Sequence, residues 1–429
     1  MTRHDPYESV PLPREIREAE RIALLVGAAG LVVCIVIWIL GSAIPSWWPL
    51  ADAFYRAWLF AWLLFLGASL GGMAAVMLHH LTGGEWGLLV RRFGEAAAWV
   101  LPLLFILSVP VLVGMRHLYP WARPHITDPV VVHKRPYLNG PFFLARFVIY
   151  FALWTAIAWR LRDGSLRQDH APDLRIARRL RVISALGLVA YFITMSFACV
   201  DWIMSLEPRW YSTVFGFVVI IGQAVTGFSV MIVTLALLRF MPPFRNVLRR
   251  NHLNDLGNLL LTCVILWAYT SFAQLLVQWM GNITQEIGWY VKRTSGTWRL
   301  LAAMLIVLDF FVPFVLLLMR KIKRRAQVML WLCMGLLAMR AIDLFWMVAP
   351  AGDQPYPNFR WGAMLLGLAT LAAVGGLWTA AYLRVLGGHP LMPMGERVPV
   401  ANEPSDELSP EHTVAPHEAA LGENRTALA

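Results

Sequence analysis

Long apolar runs determine what this chain can fold into. Ten segments of about 20 mostly apolar residues follow one another, and a helix needs roughly that length to cross the hydrocarbon core of a bilayer. Their approximate bounds are 22–44, 57–78, 98–115, 142–161, 182–204, 214–239, 257–280, 298–319, 327–348 and 361–385. The sequence therefore predicts an all-α integral membrane protein with ten transmembrane helices.

The amino-acid composition supports a membrane protein and argues against a soluble domain and a nucleic-acid-binding protein. The chain is 58% hydrophobic and only 15% charged, whereas soluble domains carry about 25% charged residues. Its net charge of +11 does not indicate nucleic-acid binding, because Lys and Arg fall in short clusters between the apolar runs. We find no phosphate-binding loop and no nucleotide fingerprint in the sequence.

The basic clusters also predict an orientation and a domain organisation. Most Lys and Arg residues lie on the side of the membrane that holds the N-terminus, so the positive-inside rule places both termini in the cytoplasm. Residues 1–21 predict a short helix at the membrane interface. Residues 22–385 form the transmembrane domain, and its first run is too long for a cleavable signal. Residues 386–429 predict an acidic, mostly disordered tail.

Charged residues interrupt the apolar pattern in DWIMSLEPRWYSTVFG, residues 201–216. Asp201 falls near the end of the fifth run, on the side opposite the N-terminus. Pro208 disfavours helical geometry at Glu207, so we predict a tight turn there between the fifth and sixth spans. Asp201 and Glu207 are candidates for a polar site at this face, and ordinary interfacial side chains are the alternative.

Ionisable side chains at membrane depth are costly and suggest function by default. Asp309 lies near the middle of the eighth run, and Pro313 cannot donate to the Asp309 carbonyl. Arg340 and Asp343 share a face of the ninth run at i,i+3 spacing. We predict that Asp309 is a proton-relay carboxyl and that the other two form a charged wall for a polar head group. A hydrogen-bonded, protonated Asp309 and a self-neutralised ion pair are the alternatives.

Three histidines complete the set of candidates. His79 and His80 end the second run on the N-terminal side and are candidates for proton uptake. His117 faces the opposite side and could donate to a ligand carbonyl; for all three, an interfacial histidine is the alternative. No histidine lies well inside a run, and the four cysteines lack metal or disulfide spacing. The sequence therefore predicts no metal site, haem or iron–sulfur cluster in this chain.

Two stretches resemble a known family. HHLTGGEWGLLVRRFGEAAAWVLPLLFILSVPVLVGMRHLYPWARP, residues 79–124, and the stretch at 201–216 are similar to the ActF family. ActF proteins are membrane subunits of bacterial alternative complex III, a quinol:electron-acceptor oxidoreductase, and belong with the NrfD-like, or polysulfide-reductase-type, subunits. The resemblance covers all ten runs. It implies two four-helix bundles, formed by spans two to five and six to nine, with two peripheral helices.

The resemblance also implies a setting for the chain. It implies the bacterial inner membrane, an ActC-type homologous membrane subunit, a periplasmic iron–sulfur subunit, c-type cytochrome subunits and a terminal oxidase as a further partner. The clusters and haems belong to those partners, and quinone or quinol is the implied ligand here. The outer-face candidates for a quinone site are then Asp201, Glu207, Arg340, Asp343 and His117, and the proton-path candidates are Asp309, His79 and His80. A proton-coupled secondary transporter and a non-catalytic membrane scaffold stay open as alternative functions.

Overall fold

The computed structural model describes residues 14–43, 48–126, 128–351 and 361–393. Over these residues every regular element is a helix. Ten of the helices are long and apolar enough to cross a membrane, which confirms the prediction from the apolar runs. The chain is a multi-pass, all-α membrane protein.

We number the ten long helices α1 to α10 in chain order. Their bounds are Arg14–Ala43, Trp48–Thr82, Glu85–Val113, Gly140–His170, Leu174–Trp202, Phe215–Leu238, Arg250–Gly281, Trp298–Leu318, Ala326–Val348 and Trp361–Leu386. The third helix consists of the consecutive segments Glu85–Trp99, Leu101–Leu107 and Val109–Val113. Short helices in the loops cover Met115–Leu118, Pro120–Ala122, Pro129–His133, Met204–Leu206, Phe244–Val247, Thr284–Thr294 and Arg320–Lys323.

Two four-helix bundles form the core of the fold. Helices α2 to α5 pack in a ring as the first bundle, and α6 to α9 pack in a ring as the second. The bundles meet mainly where α2 packs against α6. Helices α1 and α10 pack against each other at the periphery and against α2. This is the arrangement that the family resemblance implies.

Glycine allows the two bundles to approach closely. A Cβ atom on Gly71 of α2 would lie 1.9 Å from the carbonyl oxygen of Gln223 on α6. A Cβ atom on Gly227 would lie 2.3 Å from the carbonyl carbon of Gly71. Transmembrane helices associate through van der Waals packing, so small residues at a crossing are favoured. Larger side chains at either glycine would push the two bundles apart.

Helix α3 begins at Glu85, so the predicted start at residue 98 is wrong. The charged residues Arg91, Arg92 and Glu95 precede the third apolar run, but they lie in the helix and are buried. Arg92 Nη1 donates to Glu95 Oε2 at 2.7 Å, and Arg92 Nη2 donates to Asp169 of α4. Charges that pair in this way can be buried within a helix bundle, which a hydropathy argument does not anticipate.

The described part of the predicted N-terminal segment belongs to helix α1. Residues 14–21 form the first turns of α1 and are continuous with the first span. No proline or glycine separates the two parts, so the helix has no reason to break there. Residues 1–13 and the predicted acidic tail from residue 394 onward lie outside the described residues.

Helix α8 is irregular where Pro313 predicts an interruption. Residues Leu305–Phe311 are π-helical, and the α-helix resumes at Val312. Proline lacks the N–H group that would bond the carbonyl four residues earlier. Single π-helical turns inside α-helices occur frequently at functional sites. This one holds Asp309, whose side chain is buried.

Candidate functional site

A cavity of about 550 Å³ lies on the side opposite the N-terminus, where α5 ends and α6 begins. Its walls come from residues 133–138, the last turns of α5 and the loop that leads to Gly216. Most wall residues are aromatic or aliphatic, and His133, Lys134 and Ser205 are among the polar ones. Pockets that bind small organic ligands typically measure about 300–1,000 Å³ and have this mixture of walls.

The sequence of the α5–α6 loop explains the shape of this cavity. Helix α5 ends at Trp202, a 3₁₀ turn covers Met204–Leu206, and α6 starts at Phe215. The predicted turn between the fifth and sixth spans is therefore confirmed. Lys134 Nζ donates to the carbonyl of Pro208 at 2.6 Å, which ties the loop to the segment before α4.

Asp201 lies in a buried cluster beside the cavity. Arg146 of α4 donates to both carboxylate oxygens of Asp201, from Nη2 to Oδ1 at 2.7 Å and from Nε to Oδ2 at 2.9 Å. The Tyr150 hydroxyl donates to Oδ2 at 2.9 Å. Asp201 is 1% exposed. A bidentate arginine with an added hydrogen bond is the arrangement that stabilises a buried carboxylate in its charged form.

Tyr137 connects this cluster to the cavity. Its ring centre is 3.9 Å from the guanidinium carbon of Arg146, its carbonyl accepts from Arg146 Nη1 at 3.0 Å, and its side chain lines the cavity. Burial, followed by the charge of Asp201, raises the pKa of Tyr137 to about 12. The hydroxyl therefore stays protonated at neutral pH. Burial also lowers the pKa of Lys134 from its ordinary value.

Glu207 links the two bundles. Arg293 Nη1 donates to Glu207 Oε1 at 2.9 Å, and Lys292 Nζ donates to Oε2 at 3.2 Å. Arg293 is 1% exposed and also donates to the carbonyl of Met347, at the end of α9, at 2.7 Å. Burial lowers the pKa of Arg293, and the Glu207 charge opposes that effect. The Thr284–Thr294 helix is thus anchored between the bundles.

Asp309, Arg340 and Asp343 meet inside the second bundle. Arg340 Nη1 donates to Asp309 Oδ2 at 3.1 Å, and Arg340 Nη2 donates to Asp343, as the i,i+3 spacing allows. The guanidinium carbon is 4.7 Å from the ring centre of Trp267. All three charged residues are buried. One arginine faces two carboxyl groups, so a proton on one carboxyl balances the charge of the triad.

A small cavity of about 20 Å³ borders the triad where α2, α6 and α9 meet. Gln223 and Thr226 of α6 are polar wall residues, together with Arg340 and Asp343. A cavity of this size has room for a water molecule. The Tyr191 hydroxyl of α5 donates to Gln223 Oε1 at 2.6 Å. Polar groups therefore continue from the second bundle into the first.

The three candidate histidines lie apart from these clusters. His117 Nδ1 is 2.8 Å from Asp52 Oδ1, and its ring stacks on Tyr55 with the centroids 4.9 Å apart. His79 Nε2 is 3.1 Å from the carbonyl oxygen of Gly84. His79 and His80 line a different cavity on the N-terminal side.

The structure therefore regroups the sequence candidates. Asp309 bonds to Arg340, so it lies with the outer-face candidates and not with His79 and His80. Asp201 and Glu207 are close in sequence but bind different partners. The outer-face candidates, predicted as one group, therefore form separate clusters. Asp201, Glu207 and Asp309 find their hydrogen-bond partners on other helices and not among neighbouring residues in the sequence.

Sequence reasoning missed Arg146, Tyr150 and Arg293. Arg146 lies in an apolar run, where an arginine needs a carboxylate partner. The run of Arg146 begins on the side of the membrane where the run of Asp201 ends. The sequence therefore offers Asp201 as a carboxylate at a similar depth. Arg293 lies in a loop between spans, and no pattern in the sequence indicates that it is buried.

Among the described residues, no group of three or more His, Cys, Asp or Glu side chains is placed to hold a metal ion. Comparison of the chain with protein-family models and with curated proteins finds no match. A functional assignment therefore depends on the geometry of the site and on the resemblance in residues 79–124 and 201–216.

Proposed function

We propose that the chain is the ActF-type membrane subunit of a respiratory quinol-oxidising complex, and that the cavity beside Asp201 binds the quinol. The observation that carries this proposal is a cavity of about 550 Å³ with mostly apolar walls next to a buried arginine–carboxylate pair. A quinol head group is a flat ring with two hydroxyl groups. It needs apolar walls and a few polar groups to fix its orientation.

The position of the cavity supports access from the bilayer. Phe197 lines the cavity, lies on a membrane-spanning helix and is 49% exposed. Val200, one turn further along α5, also lines it. In a membrane this side of α5 contacts lipid, so a quinol with an apolar tail reaches the cavity laterally.

The wall residues have the properties that quinol oxidation needs. The reaction removes two electrons and two protons from the quinol, and the proposed electron acceptor is an iron–sulfur centre of a partner subunit. Lys134 donates a hydrogen bond to a quinol oxygen, and the Tyr137 ring forms part of the cavity wall. His133, a wall residue that is also exposed to solvent, accepts the first proton as a general base, passes it to water, and then accepts the second. Asp201 and Arg146 are positioning residues that hold Tyr137.

The proposed partners follow from the same chemistry and from the resemblance. The electron acceptor must lie near the cavity, so the iron–sulfur and c-type cytochrome subunits bind on the side opposite the N-terminus. That side faces the periplasm when both termini are cytoplasmic in a bacterial inner membrane. An ActC-type subunit lies alongside in the membrane, and a terminal oxidase is a further partner. The triad around Arg340 is the proposed proton-holding point.

Photoaffinity labelling with an azido-quinone tests the location of the site in the purified complex. The label should attach within residues 133–138 or 196–216, and unlabelled quinol should compete with it. Val200→Trp should fill the cavity and weaken quinol binding about tenfold, equivalent to about 1.4 kcal/mol. Leu186→Trp places the same side chain on an exposed part of α5 and should change nothing. Labelling elsewhere, or equal losses in both variants, would contradict the proposal.

A further inference from the structure

A second cavity, of about 360 Å³, lies on the N-terminal side of the first bundle. The ends of α2, α3, α4 and α5 that meet there enclose it. Arg91 and Arg181 are in its wall, together with two histidines, and Glu85 is the acidic wall residue. The Glu85 carboxylate oxygen Oε2 is 2.9 Å from His252 Nε2. The other charged wall residues are Arg181 and Arg91, and Arg91 Nε is also 3.7 Å from Glu95 Oε1 of α3.

The first turn of α3 faces this cavity. Gly83 and Gly84 lead into the helix with φ angles of 70° and 99°, a region in which only glycine is relaxed. Gly84 is the residue before the helix, and no side chain caps the first turn. Uncapped N–H groups at the start of a helix carry a partial positive charge and bind anions.

Ser165 of α4 is an independent indication of a ligand. Its side chain is 0% exposed and lines the cavity, and its hydroxyl has no hydrogen-bond partner within the described residues. Buried polar groups in folded proteins are nearly always hydrogen-bonded. A molecule in the cavity that accepts or donates a hydrogen bond would satisfy this hydroxyl.

A glycine of α3 also positions the part of the cavity wall that His79 forms. A Cβ atom on Gly87 would lie 1.8 Å from Cδ2 of His79, so the imidazole packs directly on the backbone of α3. Arg91, one turn further along the same helix, is 2% exposed. The turn before α3, the imidazole and the guanidinium group are therefore held in fixed positions around the cavity.

We infer that this cavity binds a phosphate-class oxyanion, supplied either as inorganic phosphate or as the head group of an anionic phospholipid. Arginine side chains, the uncapped turn of α3 and the Ser165 hydroxyl all donate hydrogen bonds, and an ionised phosphate accepts them. Basic pockets between transmembrane helices on the cytoplasmic side bind anionic head groups. The inference does not depend on the quinol site, which lies on the opposite side.

Calorimetric titration of the purified full chain with inorganic phosphate tests the first source. Ser165→Ala and Arg181→Gln should each weaken binding about tenfold, the size expected for a hydrogen bond to a charged group. Arg178→Gln removes an exposed charge on the same side of α5 without touching the cavity wall and should leave the affinity unchanged. Without ligand, Ser165→Ala should be at least as stable as the native chain, because it removes a hydroxyl that has no partner.

Nanodiscs test the second source. If phosphate does not bind, the chain should be more thermostable in phosphatidylglycerol than in phosphatidylcholine nanodiscs. Ser165→Ala and Arg181→Gln should then lose that difference, and Arg178→Gln should keep it. If neither assay separates the two wall variants from Arg178→Gln, the cavity holds only water and the inference is wrong.

Discussion

The Asp201 cluster of the first bundle and the Asp309 cluster of the second differ in how many carboxyl groups share one buried arginine. In the first bundle, Asp201 meets one arginine and a tyrosine hydroxyl, and the charges balance. In the second bundle, Asp309 and Asp343 share Arg340. A balanced pair is a fixed anchor, because neither partner can lose its charge without leaving the other unpaired. A triad with two carboxyl groups can gain or lose a proton and still keep one ion pair intact.

The largest expected difference between the clusters is in stability. Asp201→Asn leaves Arg146 buried without its counter-charge and should lower the free energy of unfolding by about 3–5 kcal/mol. Asp309→Asn leaves Arg340 paired with Asp343 and should change it by less than about 1 kcal/mol. Unfolding in mixed detergent micelles measures both values. Equal destabilisation by the two substitutions would show that the charge count does not distinguish the clusters.

The same two substitutions should separate two activities of the proposed quinol-oxidising complex. Asp309→Asn should reduce proton translocation per electron while quinol oxidation continues, because the triad then has no spare carboxyl. Asp201→Asn should slow quinol oxidation about tenfold or more by displacing Tyr137, equivalent to about 1.4 kcal/mol or more in the barrier. Proton release and quinol turnover in proteoliposomes measure the two effects. Full activity and full pumping in both variants would remove these residues from the mechanism.

A double replacement sharpens the interpretation of Asp201 as an anchor. Arg146→Met with Asp201→Leu removes both charges and retains apolar volume. Such replacements of buried ion pairs are often close to neutral, so stability should return to within about 2 kcal/mol of the native value. The same micelle unfolding assay applies. A double variant as unstable as Asp201→Asn alone would mean that packing, rather than charge pairing, determines the cost.

The smallest effect is expected at the link between the bundles. Glu207→Gln keeps a hydrogen-bond acceptor for Arg293 but removes the charge, and should cost about 1–3 kcal/mol. Arg209→Gln is a matched control in the same loop, because Arg209 is largely exposed and pairs with partly exposed Asp128. It should have no measurable effect on unfolding. If the two variants behave alike, Glu207 does not hold the bundles together.

The spans could be predicted because the length and composition of an apolar run are local properties of the sequence. The irregularity in α8 could be predicted for a similar reason, since Pro313 removes a specific donor. The start of α3 could not be predicted in this way, because Arg92 and Glu95 are charged residues that lower the local hydropathy. Only the position of Asp169 on α4 shows that these charges are neutralised within the bundle.

The candidate site could be predicted only as a set of residue types. Asp201, Asp309 and Asp343 are conspicuous carboxyl groups in apolar surroundings, and each proves to be buried. Their partners depend on which helices are neighbours and on how deep each side chain lies. Hydropathy places a residue in the membrane only to within about one helical turn. An error of that size would put Asp309 and Arg340 out of reach of each other, so their contact could not be derived from hydropathy.

The buried charges at the start of α3 have a consequence for biosynthesis. A charged side chain in a membrane helix raises the insertion free energy, by about 2.5–3.5 kcal/mol at the helix centre and by less towards the ends. The first turns of α3 carry two arginines and Glu95, and the remaining counter-charge, Asp169, is at the end of α4. The first half of α3 therefore becomes stable in the bilayer only after α4 has been synthesised. The translocon should release these two helices together, as a hairpin.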